Sequence, residues 1–193
     1  MRISRFSDLN DPFELLGANL RNQTSRVVFR NWKHEISNTY GLICFSESWR
    51  SPLLWSHYAE KHRGICLGFD VPDAKVLAVR YLKDRFELNQ EALNERTITR
   101  FLTSKFVEWS YEKERRVITD LSEIDADDGN YYIQFSDELL LREVIVGALN
   151  DLTGETLATE IERAGLSRTE IQLSKARLAF KSYDVVRDKR GLR

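Results

Sequence analysis

The 193-residue chain has 29 basic and 30 acidic side chains, a formal net charge of −1, and is 42% hydrophobic and 31% charged. Its length suits one well-buried core and is short for two domains, and the composition is that of a folded chain rather than a disordered one. Near-neutrality without a basic run leaves no strong case for nucleic acid as the main partner, although a local basic pocket stays open.

The first predicted element is a strand, Ile3 to Phe6, running into the turn Asp8-Leu9-Asn10-Asp11-Pro12. Val28, Trp32 and Ile36 recur at helical spacing and predict an amphipathic helix over Thr24 to Ser37. A buried strand follows at Leu42 to Ser46, then a short helix from Leu53 to Lys61 with Pro52 at its start and Gly64 beyond its end. Strands are predicted at Ile65 to Phe69 and Val76 to Leu82, and a longer helix at Gln90 to Phe106 around Leu93, Thr97 and Phe101. Further strands fall at Arg115 to Thr119, Tyr131 to Phe135 and Arg142 to Val146. A helix at Gly154 to Ala164 and terminal strands at Glu170 to Leu173 and Lys181 to Val186 complete the chain. Strands and helices do not alternate regularly, so the expected fold is α+β, a mixed or antiparallel sheet with packed helices in a single domain. The strands holding Cys44, Cys66 and Val117 are expected in one sheet.

Cys44 and Cys66 sit in apolar runs and read as reduced core thiols. With three histidines and no Cys-x-x-Cys pair, no metal is expected. The opening Met1-Arg2-Ile3-Ser4-Arg5 has no apolar stretch behind it, and no run reaches membrane length, so the expectation is a cytoplasmic protein without a membrane partner.

Two blocks concentrate polar and aromatic residues that are costly to place, Cys44 to Asp70 and Lys105 to Ile118. On a helix, Trp55, Tyr58 or Ala59, and His62 share one face while His57 and Lys61 share another, so the histidines are not a metal pair. Trp55, Tyr58 and His62 read either as anchors docking the helix or as the wall of a ligand pocket. In the second block, Glu112, Glu114 and Arg116 fall on one face if the segment is extended. They read either as an exposed edge strand with an ion pair or as a carboxylate held for a substrate hydroxyl or a developing cation. Asn10-Asp11-Pro12-Phe13-Glu14 is first a turn, with Asp11 also able to hold backbone amides or a ribose.

Asn10 to Glu14, Ile43-Cys44-Phe45-Ser46-Glu47, Leu54-Trp55-Ser56-His57-Tyr58-Ala59 with His62 and Gly64 to Phe69, and Trp109-Ser110-Tyr111-Glu112-Lys113-Glu114 with Arg116 together resemble the bacterial domain-of-unknown-function family 2971. The four motifs span roughly residues 1–120. The resemblance implies a part in a bacterial stress or phage-defence system, without naming a reaction. It also implies an aromatic- and basic-rich strand ahead of the Asn-Asp-Pro-Phe motif, whose absence marks a short variant or a chain begun late.

Ser46 at a strand end and Glu112-x-Glu114 on a later strand are similar to the serine and paired-glutamate motifs of ADP-ribosyltransferases. That similarity implies NAD as substrate, Glu114 as the catalytic charge near the ribose and Glu112 as the residue that directs the acceptor. Ser46 would be a scaffold and Trp55 or Tyr58 the stacking surface; the opening Arg or His of such enzymes has only Arg2 and Arg5 as counterparts. The alternative is a binding module for a small nucleotide-like ligand or a protein target, with Arg116, His57 and His62 facing a stacked anion. A nuclease holding Mg²⁺ on Asp11, Glu112 and Glu114 ranks third.

Overall fold

The computed structural model describes residues 1–87 and 94–192. In chain order the elements are β1 (Arg2–Arg5), α1 (Gln23–Thr39), β2 (Tyr40–Ser46), α2 (Pro52–Tyr58), β3 (Ile65–Asp70), β4 (Leu77–Ala78) and β5 (Arg80–Leu82). They continue with α3 (Glu95–Leu102), β6 (Ser104–Phe106), β7 (Glu114–Asp120), β8 (Tyr131–Tyr132), β9 (Leu140–Val146), α4 (Gly154–Arg163), β10 (Gln172–Leu178) and β11 (Val185–Arg187). The fold is α+β, with antiparallel and mixed sheets. Among the described residues no helix is long and apolar enough to cross a membrane.

The contacts gather into two compact units, residues 1–47 with 73–134 and residues 48–72 with 135–193. In the first, the sheet order is β4-β7-β2-β1-β8 with every pairing antiparallel. The parallel pair β5–β6 lies apart from that ladder. Its core joins Phe6, Leu15, Phe29, Trp32, Ile36, Leu42, Phe101 and Leu102. Asn22 caps α1 by accepting the Ser25 amide at 2.7 Å, and Phe29, Trp32 and Ile36 form the buried stripe. The expected Val28 is 55% exposed, because the stripe follows 29, 32 and 36 around the helix.

The second unit has the order β11-β10-β9-β3, with β9 and β10 parallel and the outer pairs antiparallel. Two apolar clusters serve it, one under α4 (Leu141, Val144, Val146, Leu157, Ile161, Ile171) and one around Trp55, Ala59, Ile145, Ala176 and Val185.

Several expectations need correction. Cys66 lies in β3, in the second unit's sheet, whereas Cys44 and Val117 share the first. Of the two cysteines expected in the core, Cys44 is exposed, whereas Cys66 is partly buried and packs against the cluster of Trp55 and Ile145. The run Val76 to Leu82 divides at Val79, whose neighbours join different sheets. The helix predicted from Gln90 begins at Glu95, where Asn94 accepts the Thr97 amide; Leu93 and its neighbours lie outside the described residues. Its predicted end, Ser104–Phe106, is strand β6. Residues 181–184 belong to a loop rather than to a strand, and β10 runs on to Leu178.

Candidate functional site

The site begins with the turn at Asn10 to Glu14. The Asp11 carboxylate accepts the Phe13 amide at 2.9 Å and its carbonyl accepts the Glu14 amide at 3.0 Å, a side-chain turn that any Asp-Pro pair favours. Asp11 is 4% exposed and spends itself on this turn. Its effect is to aim Glu14 inward, and Glu14 is 2% exposed.

Arg116 receives it. The guanidinium, 0% exposed, donates to both Glu14 oxygens at 2.7 and 3.1 Å, to both Glu114 oxygens at 2.8 and 3.1 Å, and to the Leu102 carbonyl at 2.8 Å. A guanidinium has five N–H donors, and these five bonds use them all. Arg116 therefore holds the site together and keeps no donor for an anionic ligand.

Lys105 closes the cluster. Its ammonium lies 2.5 Å from Glu112, 3.0 Å from Glu114 and 3.7 Å from Glu14, and 4.9 Å from the centre of the Trp109 ring. Glu112 and Glu114 do converge, but not by sharing a strand face as predicted. Glu112 ends a 3-10 turn (Val107–Glu112), Lys113 takes a left-handed backbone with φ 46°, and β7 starts only at Glu114. Nor is the segment an exposed edge: β7 lies between β4 and β2, and Glu112 and Glu114 are 3% and 5% exposed.

Register supplies the open side. Across β2 and β7, Ser46 stands opposite Glu114, Cys44 opposite Arg116 and Leu42 opposite Ile118. Residues two apart on a strand share a face, so one face passes from apolar Leu42 and Ile118 to the ionic cluster and then to Cys44 and Ser46, both solvent-exposed. The Ser46 hydroxyl donates to the Glu112 carbonyl at 2.6 Å, which pins the bend between Glu112 and Glu114. The Tyr81 hydroxyl accepts the Glu114 amide at 2.7 Å and pins the bend from the other side.

The charges are unequal. Four buried carboxylates, Asp11, Glu14, Glu112 and Glu114, face three cations, Lys105, Arg116 and the half-buried Lys33, whose ammonium donates to the Glu14 carbonyl at 2.7 Å and feels the charges of Glu14 and Asp11. Burial pushes Glu114 up, but the hydrogen bond and charge of Arg116 and the charge of Lys105 outweigh it and hold the carboxyl down at about 2. Glu14 goes the other way: burial, with Glu114 adding to it, lifts its carboxyl above the ordinary range against Arg116 and Lys105. Burial would depress Lys105, yet Glu114 and Glu112 raise it above the usual ammonium. The Cys44 thiol bonds to Glu114, and partial desolvation together with that negative neighbour raises its pKa, so it stays protonated. A fixed carboxylate of this kind is a poor proton acceptor and a strong stabiliser of positive charge.

No family model, curated protein or solved structure matches the chain.

The remaining predicted residues, Trp55, His57, Tyr58 and His62, belong to the second unit. Trp55 is 2% exposed, and its indole donates to the Trp49 carbonyl at 2.6 Å. It is a core anchor and offers no free stacking face. Tyr58 is 54% exposed and His57 is exposed, with ring centroids 6.2 Å apart in an edge-on arrangement. His62 does not lie on the helix, which ends at Tyr58. Glu60, Lys61 and His62 all take positive φ (46°, 54° and 71°), a left-handed turn that swings the imidazole back over Trp55 with ring centroids 6.3 Å apart. Its Nε2 is 3.4 Å from the Ser56 hydroxyl, and its buried Nδ1 has no partner among the described residues.

Sequence reading missed Glu14, Lys105 and Tyr81 as members of the cluster. Glu14 and Lys105 stood inside or beside the motifs singled out. Tyr81 gave no signal beyond a place in an apolar run.

Proposed function

We propose that the first unit is an ADP-ribosyltransferase-like domain that cleaves the nicotinamide–ribose bond of NAD, with Glu114 as the charge that stabilises the transition state. The observation that carries the reading is the excess of one carboxylate over the cations in a buried cluster that borders the exposed Cys44 and Ser46. The NAD pyridinium is cationic, and as its glycosidic bond breaks the positive charge moves onto the ribose. A carboxylate held ionised by Arg116 and Lys105 favours that charge without reorganising at the moment of reaction. Glu112, one residue from the bend, is the acceptor-directing partner, and Ser46 and Tyr81 set the bend. Membership of family 2971, and a place in a bacterial stress or phage-defence system, belong to the same proposal and rest on the motif resemblance.

A second reading is favoured by a specific observation. Arg116 has no donor to spare and both Glu114 oxygens already accept bonds, so the cluster also suits a module that binds the cationic end of a nucleotide-like ligand without turnover. Nicotinamide release from NAD by the pure protein separates the two. Release that is lost when the exposed strip is filled by Cys44→Trp supports the enzyme. NAD binding without release, also lost in Cys44→Trp, supports the module; neither release nor binding contradicts both.

A further inference from the structure

The loop of residues 179–184 between β10 and β11 is closed on itself. The Ala179 amide donates to the Asp184 carbonyl at 3.0 Å, and the Ser182 hydroxyl donates to the Asp184 carboxylate at 2.7 Å. On this frame Phe180 is 92% exposed and Tyr183 98% exposed. Single apolar residues scattered on a surface need no explanation, but two fully projected rings three residues apart on one short loop contribute nothing to the packing of the unit.

The charge around the rings is positive. The Arg177 guanidinium lies over the Phe180 ring, 4.9 Å from its centre, and Lys181 stands between the two aromatics. Arg50, exposed, is fixed at the base of the loop because its carbonyl accepts the Val185 amide at 2.9 Å. Against these three cations stand Asp184, which Ser182 already engages, and Asp188, whose charge acts on Arg177 but which Arg190 pairs at 2.9 Å. Arg187, further along β11, is balanced by Glu143 at 2.6 Å and adds nothing.

We propose that this hairpin tip is a landing site for single-stranded nucleic acid, independent of the NAD reading. Bases stack on the Phe180 and Tyr183 rings, and the phosphates meet Arg50, Arg177 and Lys181. Flat aromatic faces interleaved with cations are what a single strand uses, because every base has a stacking face and every linkage a charge. An anionic bilayer would meet the same cations. To insert the rings, however, it would have to draw Ser182 and the Asp184 carboxylate into the interface with them, whereas a strand laid along the rings leaves both in water. The near-neutral composition of the whole chain does not oppose this, since the surplus is local.

The test is fluorescence anisotropy of labelled oligothymidylate and oligouridylate of about twelve nucleotides, a length within the range of such sites, with the full chain. The expected result is saturable binding that weakens with added salt and falls about tenfold or more in the double variant Phe180→Ala/Tyr183→Ala. Both rings are exposed, so an unchanged melting temperature in that variant assigns the loss to the tip. The proposal is overturned if the wild-type chain does not bind either oligonucleotide, or if the double variant binds as the wild type does. It is also overturned if the protein sediments with phosphatidylserine vesicles through these rings while ignoring the oligonucleotides.

Discussion

The two units bury different things. Residues 1–47 and 73–134 enclose Glu14, Lys105, Glu112, Glu114 and Arg116, none more than 7% exposed, in addition to an apolar core that includes Phe29, Trp32 and Phe101. Residues 48–72 and 135–193 enclose Trp55, Ala59, Ile145, Ala176 and Val185, where the indole N–H and one carbonyl make the polar contact. Removing charges from water costs several kcal/mol per ion, and apolar residues of the same volume commonly serve a fold as well or better. The aromatic core therefore needs no explanation beyond packing, and the ionic one does. Its unequal charge and its border on Cys44 and Ser46 point the same way.

The sharpest way to break that contrast is Arg116→Met. The substitution leaves Glu14 and Glu114 buried without their guanidinium, and a loss of about 4 kcal/mol is expected in urea unfolding. A loss under about 1 kcal/mol would mean that the cluster opens to water and is not a buried ionic core.

The next effect depends on pH. Glu114 has a folded-state pKa of about 2, below the ordinary carboxylate range, so it adds stability that is fully present above that ordinary value. The contribution disappears as pH falls through about 2, and is worth about 3 kcal/mol at neutral pH. Glu14 acts with the opposite sign: its raised carboxyl costs stability at neutral pH and the cost fades on acidification. Wild-type acid unfolding mixes the two, so the useful quantity is the gap between wild type and Glu114→Gln. That gap should be about 3 kcal/mol at neutral pH and close towards about pH 2; a gap that ignores pH removes Glu114 from the charged network. A fold that gained nothing from this carboxylate would have tolerated Glu114→Gln freely, and the bonds to Arg116 and Lys105 argue otherwise.

In the second unit, Trp55→Phe should cost about 2 kcal/mol through a lost hydrogen bond and lost volume. Tyr58→Ala, on the exposed side of α2, should stay within about 0.5 kcal/mol. If Tyr58 proves the more damaging of the two in thermal melts, the assignment of core and surface on this helix is reversed.

Much of this was legible in the order of the amino acids. The strand of Cys44 and Ser46, the strand of Val117, the Asn-Asp-Pro turn and the concentration of charge near Glu114 follow from alternation and from the cost of burying polar groups. What alternation could not give was the break in it. The left-handed Lys113 takes Glu112 off the strand, and the left-handed run Glu60 to His62 takes His62 off the helix, because positive φ in residues other than Gly has no sequence signature as clear as glycine itself. Pairing at long range was equally hidden. Glu14 and Arg116 lie 102 positions apart, and only the folded chain brings a turn motif and a strand motif into one cluster. Cys44 read as buried because its neighbours are apolar, yet the strand face opens where Leu42 gives way to Cys44 and Ser46.

On the proposed reading, a buried surplus of negative charge beside Cys44 and Ser46 receives the cationic nicotinamide end of NAD. The most direct measurement is calorimetric titration of the wild-type chain and of Cys44→Trp with NAD, whose nicotinamide is cationic, and with NADH, whose nicotinamide is neutral. The wild type is expected to bind NAD at least about tenfold more tightly than NADH, the factor that about 1.4 kcal/mol of charge attraction supplies, and Cys44→Trp is expected to abolish the binding. Equal affinity for the two, or NAD binding untouched by Cys44→Trp, would contradict that reading.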